Sequence, residues 1–405
     1  MKGSNKMKIK IGVIFGGETV EHEVSIISAL QAIDNLDREK YEIIPIYISK
    51  EKIWYTGEEL SKIDAFTDLD NVKKQSTEVT LCKKGKEFYL INTNGLIRKN
   101  VCQIDIAFPI VHGNNVEDGT LQGYLDTVGI PYVGSKVMGA ALGQDKVIMK
   151  QVFKSENLPI VDYIWFFDYE YYDNEKQIKN SISKLGLPVV VKPANLGSSV
   201  GISFVKKEEE LEKAIDEALM YDKKIIVEKA VSNLVEVNCS VLGDYQSQET
   251  SKIEEVMATE EFLTYEDKYL GNGKSSKTSQ KGGMANTSRI IPARISKELT
   301  KQVEEIAKQA FKVLNLSGVC RIDFLIDKKT NEVYINEPNT IPGSLAFYLW
   351  EAKGVKYKEL LDRMIQLAIK DLKNKENKTY AFDTNILSNY KNSSGSKGGK
   401  LGKLK

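Results

Sequence analysis

The sequence predicts an α/β domain followed by two α+β domains, and three stretches of the chain support that fold class. Residues 8–15, 23–36 and 41–48 have a strand, helix, strand pattern, which predicts parallel strands joined by a right-handed crossover. Residues 187–203 are β-rich around a glycine-rich turn, and residues 318–343 have the pattern of a β-hairpin. Such stretches are typical of a chain that folds as several layered domains.

The length of the chain and changes in its local composition predict the domain boundaries. At 405 residues the chain is long enough for two or three domains. We expect a Rossmann-like domain at 1–134, a central domain at 135–234 and a C-terminal domain at 235–386, followed by a disordered tail at 387–405 that is rich in Ser, Gly and Lys. Within the third domain, residues 271–287 have a similar composition and are predicted to form a mobile loop.

The remaining elements follow in order along the chain. Another apolar strand, over 101–111, ends at His112, and a helix after Gly134 is expected to carry Asp145 and Lys146. Further on the pattern predicts an amphipathic helix, a strand and a closing helix, at about 207–221, 224–228 and 356–373.

Composition excludes several classes of protein. A net charge of +1 gives no global attraction to nucleic acid, so nucleic acid is not an expected partner. No apolar stretch approaches the length of a membrane span, so we expect no membrane partner and a cytoplasmic location. The four cysteines are scattered without a CxxC pair, and only His22 and His112 could assist them. A zinc site or a thiol nucleophile is therefore disfavoured.

The hairpin at 318–343 carries the most informative polar side chains. Arg321 and Asp323 lie two residues apart on its first strand, and Glu337 and Asn339 have the same spacing on its second. Side chains two apart on a strand point to the same face, so three oxygen-bearing groups and a cation gather on one surface. Two carboxylates and an amide oxygen suit Mg²⁺ held against phosphates. The alternative is an ordinary exposed hairpin with solvated charges.

Two further segments could bind a nucleotide. The turn at 193–201 offers glycine and serine backbone N–H groups to a phosphate, with Lys192 just before it, although a plain glycine-rich turn is the alternative. Glu228 ends the apolar strand at 225–227, and such a strand end can present a backbone edge to adenine, while Glu236 could bind ribose hydroxyls. Taken singly, each glutamate is better explained as a solvated charge at the end of a strand, and the two gain weight only as members of a set.

These residues resemble the D-alanine–D-alanine ligases of the ATP-grasp superfamily. The resemblance covers nearly the whole folded chain and rests on motifs that stand in the family's order, at residues 16–25, 112–119, 192–201, 265–269, 321–323 and 336–343. It implies an ATP-grasp fold, in which an N-terminal parallel-sheet domain binds substrate and two α+β domains clasp ATP. It also implies a cytoplasmic enzyme of peptidoglycan precursor synthesis, commonly a homodimer.

The resemblance implies a role for each matching position. The ATP-binding set is Lys146, Lys192, Ser198, Ser199, Glu228, Lys229, Val231, Glu236 and Lys268. Asp323, Glu337 and Asn339 match the ligands of two Mg²⁺ ions, for which Mn²⁺ could substitute. Arg321 and the backbone N–H of Gly343 match the groups that stabilise the tetrahedral intermediate. Glu21 resembles the carboxylate that binds the donor's ammonium group, linked through Ser198 to Tyr269, and His112 resembles a further substrate-binding residue.

The implied chemistry agrees with the residue types present. An amino-acid carboxylate is a poor electrophile, so ATP would convert it to an acyl phosphate that the acceptor's amine then attacks. Cations on the phosphate oxygens and donors aimed at the oxyanion meet this demand without a nucleophilic side chain. The acyl phosphate must be kept from water, which gives the loop at 271–287 an expected role as a closing lid.

The sequence departs from the family pattern at two places. Val116 stands where the family usually has glycine before Glu-Asp-Gly, and the segment from Ser344 to Trp350 replaces the usual polar anchor for the acceptor's carboxylate, with Tyr348 as a candidate substitute. D-Alanine is the first expectation for the acceptor, and D-serine or another amino acid is the alternative. A nucleotide-binding sensor without catalysis is a third hypothesis, disfavoured because the lysine and metal positions are all present.

Overall fold

A computed structural model of the chain describes residues 7–95, 97–198, 200–257 and 289–382. The chain divides into two compact units, Met1–Ala368 and Ile369–Lys405, and three β-sheets lie within the first unit. The predicted loop at 271–287 and tail at 387–405 fall outside the described residues. None of the described helices combines the length and hydrophobicity needed to cross a bilayer.

The N-terminal sheet has seven strands in the order β6-β5-β4-β3-β2-β1-β7. As predicted, β1 and β2 are parallel, and β7 joins β1 in parallel, but the other neighbours are antiparallel, so the sheet is mixed. The strands are β1 (Ile9–Gly16), β2 (Tyr41–Ile48), β3 (Trp54–Thr56), β4 (Thr77–Lys84), β5 (Glu87–Asn92), β6 (Asn100–Ile104) and β7 (Ile106–Pro109). The helices are α1 (His22–Asn35), α2 (Leu69–Gln75), α3 (Thr120–Val128) and α4 (Val137–Gln144).

The single strand predicted at 101–111 is wrong, because the chain breaks into β6 and β7 at Asp105. These two strands lie at opposite edges of the sheet although only Asp105 separates them, so the two edges meet at this corner. The Asp105 carboxylate accepts the backbone N–H of Lys10 at 2.8 Å, which fixes the corner to the neighbouring strand. The corner directs the chain after β7 toward His112.

The second sheet has four antiparallel strands in the order β10-β9-β11-β8 and lies in the predicted central segment. Its strands are β8 (Tyr163–Phe167), β9 (Val189–Pro193), β10 (Ser203–Val205) and β11 (Lys224–Lys229), with helices α5 (Lys146–Ser155), α6 (Asp168–Leu185) and α7 (Leu211–Leu219). Asp145 is the N-cap of α5 rather than a residue within a helix, and its carboxylate accepts the N–H groups of Val147 and Ile148. This cap fixes where Lys146 leaves the backbone.

The third sheet has five strands in the order β14-β13-β12-β15-β16. Its strands are β12 (Leu234–Gly243), β13 (Gln248–Val256), β14 (Arg289–Ile290), β15 (Gly318–Asp327) and β16 (Glu332–Asn339), with helices α8 (Lys297–Val313), α9 (Phe347–Glu351) and α10 (Tyr357–Glu376). Helix α8 packs Phe311 and its neighbours at helical spacing against the apolar face of this sheet. The opposite face is left for polar side chains.

The predicted hairpin is confirmed as β15 and β16. The strands pair antiparallel with Arg321 opposite Asn339 and Asp323 opposite Glu337, and a register shift follows Asp323. A bulge of this kind increases the local twist and re-aims side chains. The four polar groups therefore share one face, as the spacing predicts.

Candidate active site

One cavity is lined by strand residues of the third sheet and by loop and helix residues that adjoin the first and second sheets. Among the predicted site residues, those that line it are Glu21, His112, Lys146, Ser198, Glu236, Arg321, Asp323, Glu337, Asn339 and Gly343. An adjoining cavity, which shares Glu236, Asp323 and Glu337 with the first, is lined by Lys192, Glu228, Lys229 and Val231. The fold thus brings together residues that are more than 300 positions apart in the sequence.

The hairpin face is organised by charge-assisted hydrogen bonds. The Arg321 guanidinium donates to both carboxylate oxygens of Asp323, at 2.7 and 2.8 Å, and Asn339 Nδ2 donates to Asp323 Oδ2 at 3.1 Å. Burial disfavours the charge on Arg321, but Asp323 outweighs that effect and raises the pKa of the guanidinium above its ordinary value. The arginine is therefore a permanent cation in the wall of the cavity.

The same face has the donor types that a magnesium ion requires, but not enough of them. Asp323 and Glu337 supply carboxylates and Asn339 an amide oxygen, which are the hard ligands that Mg²⁺ prefers. Within the part of the chain that the structure describes, no three His, Cys, Asp or Glu side chains gather into a metal site. A cation bound here would need further oxygens from water or substrate phosphates, which is how Mg²⁺ is usually held.

Two lysines reach the cavities from different elements. Lys146 Nζ donates to the backbone oxygen of Leu196 at 2.7 Å and lies 3.1 Å from Glu337 Oε2. Lys192 Nζ donates to Glu228 Oε2 at 2.7 Å and to Asn336 Oδ1 at 3.1 Å. Each ammonium therefore lies beside the hairpin face, where a bound polyphosphate would need cations.

Beneath the second cavity lies a buried charge cluster, formed by Lys150, Lys192 and Glu228. Lys150 is 0 % and Glu228 2 % exposed, and Lys150 Nζ lies 3.1 Å from Glu228 Oε1. Burial opposes ionisation of Glu228, but its two ammonium neighbours prevail and lower the pKa of the carboxyl. The prediction that Glu228 carries a solvated charge at the end of a strand is wrong, because the side chain is buried. Sequence reasoning missed Lys150, although its spacing of four from Lys146 places both on one helix face.

Around this cluster the second cavity combines apolar walls with the end of strand β11. Val190, Ile202, Phe204 and Leu325 line it together with Lys229 and Val231. A flat aromatic base would fit between such walls, and the chain after Glu228 offers backbone groups at its edge. Glu236 lies where this cavity joins the first.

At the other end, a carboxylate and a hydroxyl meet across the cavity. Glu21 is the N-cap residue of α1, and Ser198 in the loop after β9 donates a hydrogen bond to Glu21 Oε1. Ser198 adopts φ 57°, a left-handed conformation that is uncommon for residues other than glycine. The pair forms an acidic end suited to an ammonium group, and the binding roles of Glu21 and Ser198 stay predictions.

The loop that follows Asn339 is held from the N-terminal domain by residues that sequence reasoning missed. Glu117 accepts hydrogen bonds from the N–H of Ile341 at 2.9 Å, the Thr340 hydroxyl at 3.2 Å and the N–H of Gly113 at 3.1 Å. Burial, followed by the charge on Glu21, raises the pKa of the Glu117 carboxyl to about 7. Glu117 stands in the motif at 112–119, which was the available signal.

His112 and Ser28 hold the far side of that loop. His112 Nε2 lies 3.0 Å from Ser28 Oγ, which accepts the N–H of Ser344 at 2.9 Å. His112 also hydrogen-bonds the Ile341 backbone. The backbone on both sides of Gly343 is therefore fixed, and Gly343 lines the same cavity as Arg321.

The buried His112 predicts a pH-dependent stability. Burial lowers the pKa of its imidazole to about 4, from 6.5. A histidine whose folded pKa is lowered contributes stability above its unfolded pKa, and that contribution disappears as the pH falls from 6.5 to 4. We expect His112→Gln to remove about 2 kcal/mol of the stability difference between pH 7 and roughly pH 4.5. Urea unfolding of the native chain and the variant at the two pH values measures this difference in stability. If the variant lost as much stability between pH 7 and about pH 4.5 as the native chain, the lowered pKa of His112 would be contradicted.

Other predicted residues lie elsewhere or outside the described part. Ser199, Lys268 and Tyr269 belong to the undescribed residues, so their predicted roles stay predictions. Tyr348 is near the cavity, but its hydroxyl donates to Glu254 Oε1 at 2.8 Å, and it does not stand among the lining residues. Val116 is buried against Gly17, so its side chain fills the loop core rather than the substrate space.

Comparison with known proteins identifies the family. Residues 10–135 match the family model described as D-ala D-ala ligase N-terminus, and residues 152–366 match D-ala D-ala ligase C-terminus. The chain belongs to the D-alanine–D-alanine ligase family. Ligases of this name from Thermosipho melanesiensis and Caldicellulosiruptor bescii are each 40% identical, over 94% and 93% of this chain respectively and 98% of each relative.

Solved structures of the D-alanine–D-alanine ligase family share the fold. The D-alanine-D-alanine ligase from Coxiella burnetii aligns with a TM-score of 0.74 at 29% identity, covering 95% of this chain and 99% of that one. The VanG D-Ala:D-Ser ligase from Enterococcus faecalis aligns with a TM-score of 0.73 at 30% identity, covering 89% and 100%. The predicted ATP-grasp fold is confirmed.

Proposed function

We propose that this chain joins two D-alanines at the expense of ATP, through a D-alanyl phosphate, to supply the dipeptide for peptidoglycan precursors. The observation that supports this function best is the single cavity that places the Glu21 and Ser198 pair, Arg321 and the hairpin carboxylates together. One end suits an amino acid's ammonium group, and the other suits phosphates and a divalent cation.

In the first step the donor's carboxylate attacks the γ-phosphorus of ATP, and ADP leaves. Glu21 holds the donor's ammonium group, while Lys146 and Lys192 hold the phosphates and Glu228, Val231 and the chain between them hold the base. Because phosphoryl transfer depends mainly on positioning and on cations around the equatorial oxygens, these groups meet its demand. Asp323, Glu337 and Asn339 would hold two Mg²⁺ ions, which when bound supply charge neutralisation on the phosphates.

In the second step the acceptor's amine attacks the acyl carbon, and phosphate leaves. Negative charge develops on the acyl oxygen, where the Arg321 guanidinium and the Gly343 N–H would donate hydrogen bonds. Donors fixed in advance contribute most because they need no rearrangement as the charge develops. Glu117, Ser28 and His112 fix the loop that carries Gly343, which makes them positioning residues for this step.

A D-serine acceptor is the second candidate. The VanG protein, a D-Ala:D-Ser ligase, aligns over 89% of this chain, and the segment from Ser344 onward departs from the expected acceptor anchor. A homodimer and a cytoplasmic location complete the proposal and stay predictions from the family resemblance.

The function is tested by measuring the phosphate that the protein releases from ATP in the presence of Mg²⁺. The assay is repeated with a panel of single and paired D- and L-amino acids. We expect release with D-alanine alone, accompanied by the dipeptide. Release only when a second amino acid accompanies D-alanine would refute the D-alanine acceptor and retain the ligase reaction. Absence of release with every pair would refute the reaction itself.

A further inference from the structure

The short connection between α4 and α5, residues 143–146, is fixed from two sides. On one side Gly143 packs so closely against the end of the hairpin that a Cβ built on it would lie 2.7 Å from Thr340 Cγ2. On the other side Asp145 Oδ2 accepts a hydrogen bond from Lys224 Nζ, on strand β11, at 2.6 Å. The connection therefore holds a constant position between the second and third sheets.

This connection holds three consecutive backbone oxygens of the loop after β9. The oxygen of Ala194 accepts the backbone N–H of Lys146 at 3.0 Å, and the oxygen of Leu196 accepts Lys146 Nζ at 2.7 Å. Between them, the oxygen of Asn195 accepts Gln144 Nε2 at 3.1 Å. The ammonium of Lys146 is also assigned to the phosphates, so Gln144 is the side chain that holds this loop whether or not a nucleotide is bound.

The Gln144 amide also reaches a second loop, which runs from β7 to α3. Its Nε2 donates to Asn114 Oδ1 in that loop at 2.6 Å. The oxygen of Asn195 belongs to the backbone and can only accept, so the amide nitrogen, and not its oxygen, must face it. The two N–H groups of the amide are thus both used, one for each loop, and a single side chain joins the two loops.

The same two loops enclose the acidic end of the first cavity. Ser198, in the loop after β9, donates a hydrogen bond to Glu21. Gly113, in the other loop, is so near that a Cβ built on it would lie 3.3 Å from Glu21 Oε2. Gln144 lines this cavity as well. The separation of the two loops determines the shape of this end of the cavity, and the Gln144 amide fixes that separation.

We propose that Gln144 is a positioning residue for the donor amino acid, because its amide holds the two loops at the separation that the donor's ammonium group requires. This inference rests on the proposed ligase function and adds a residue that determines the affinity for the donor. Its N–H groups carry the effect, so a side chain of similar length without them should weaken donor binding even where the protein folds normally.

Hydroxylamine in large excess measures the donor site apart from the acceptor site. Its nitrogen attacks the acyl carbon of D-alanyl phosphate, phosphate leaves, and D-alanine hydroxamate accumulates. The dependence of hydroxamate formation on D-alanine concentration then gives the KM for the donor. A fault in folding would lower the amount of active protein and the apparent kcat, whereas the KM does not depend on how much of a variant is folded.

We expect Gln144→Met to raise the donor KM about fivefold to thirtyfold, the effect of leaving polar groups without their hydrogen bond partner. Asn114→Ala removes one of the two contacts and should raise the KM by a smaller factor. In the Gln144→Met background, Asn114→Ala should change nothing further, because its partner is already gone. A native KM in Gln144→Met would overturn the proposal, as would single effects that multiply in the double variant.

Gln248→Met is the matched control. Gln248 Nε2 donates to the backbone oxygen of Asp244 at 2.5 Å in the turn between β12 and β13, and Gln248 is not among the residues that line either cavity. We expect a native donor KM from it, and a rise equal to that of Gln144→Met would overturn the proposal. Failure of the native chain to form hydroxamate would instead refute the ligase function.

Discussion

Replacing Glu337 with glutamine should lower turnover by about a hundredfold to a thousandfold and leave the fold intact. Glu337 stands opposite Asp323 on the hairpin, and its loss removes one of the two carboxylate charges that would hold the cation against the phosphates. Glutamine keeps the size of the side chain and one oxygen that can bind a cation, but it carries no charge. The rate of phosphate release with saturating D-alanine and ATP measures the effect.

Glu332→Gln is the matched control for this variant. Glu332 lies on the same strand at the exposed turn end of the hairpin, opposite Asp327, far from the cavity. We expect native turnover from it. Raising the Mg²⁺ concentration should restore part of the activity of Glu337→Gln, because the variant weakens the metal site rather than removing it. Native-like turnover in Glu337→Gln at ordinary Mg²⁺ would refute the metal assignment of the hairpin.

Replacing Glu228 with glutamine should lower the free energy of unfolding by about 3–5 kcal/mol. The carboxylate lies between Lys150 and Lys192, and its loss leaves two buried ammonium groups without their shared counter-charge. Removing one partner of a buried pair costs far more than the pair itself contributes, because the remaining charge is not solvated. Urea unfolding monitored by circular dichroism measures the change.

A second substitution separates this explanation from a simple packing defect. Lys150→Met in the Glu228→Gln background removes one of the two uncompensated charges and should restore part of the lost stability. Glu212→Gln is the surface control, because Glu212 pairs with Lys179 in solvent and should change stability by less than about 1 kcal/mol. A double variant less stable than Glu228→Gln would contradict the charge explanation.

The hairpin could be predicted because residues close together in the sequence determine it. Two β-rich segments, a polar turn at residues 328–331 and paired spacing of Arg321, Asp323, Glu337 and Asn339 fix both the register and the face. The start of the N-terminal sheet could be predicted for the same reason. Sequence reasoning missed the antiparallel extension of that sheet, although β4 and β5 are joined by two residues only, Gly85 and Lys86, which is the spacing of a β-hairpin.

The supporting residues of the site could not be predicted because their environment is created by the fold. Ser28 lies on α1 and Glu117 in a loop, and each resembles an ordinary polar residue until the segment at 340–344 packs against it. Lys150 likewise reads as one of several helix lysines, but tertiary packing buries it completely. Burial of a charge is a property of three-dimensional contacts, so sequence can suggest it only through spacing, as with Lys146 and Lys150.

The central claim is that the donor's carboxylate is activated by phosphorylation in this cavity, and oxygen labelling tests it most directly. D-Alanine carrying ¹⁸O in both carboxylate oxygens is supplied with ATP, Mg²⁺ and the native chain. If a carboxylate oxygen attacks the γ-phosphorus, the released phosphate carries one ¹⁸O for each dipeptide formed, and the other ¹⁸O stays in the new peptide carbonyl. Unlabelled phosphate, or label recovered in AMP, would contradict the account.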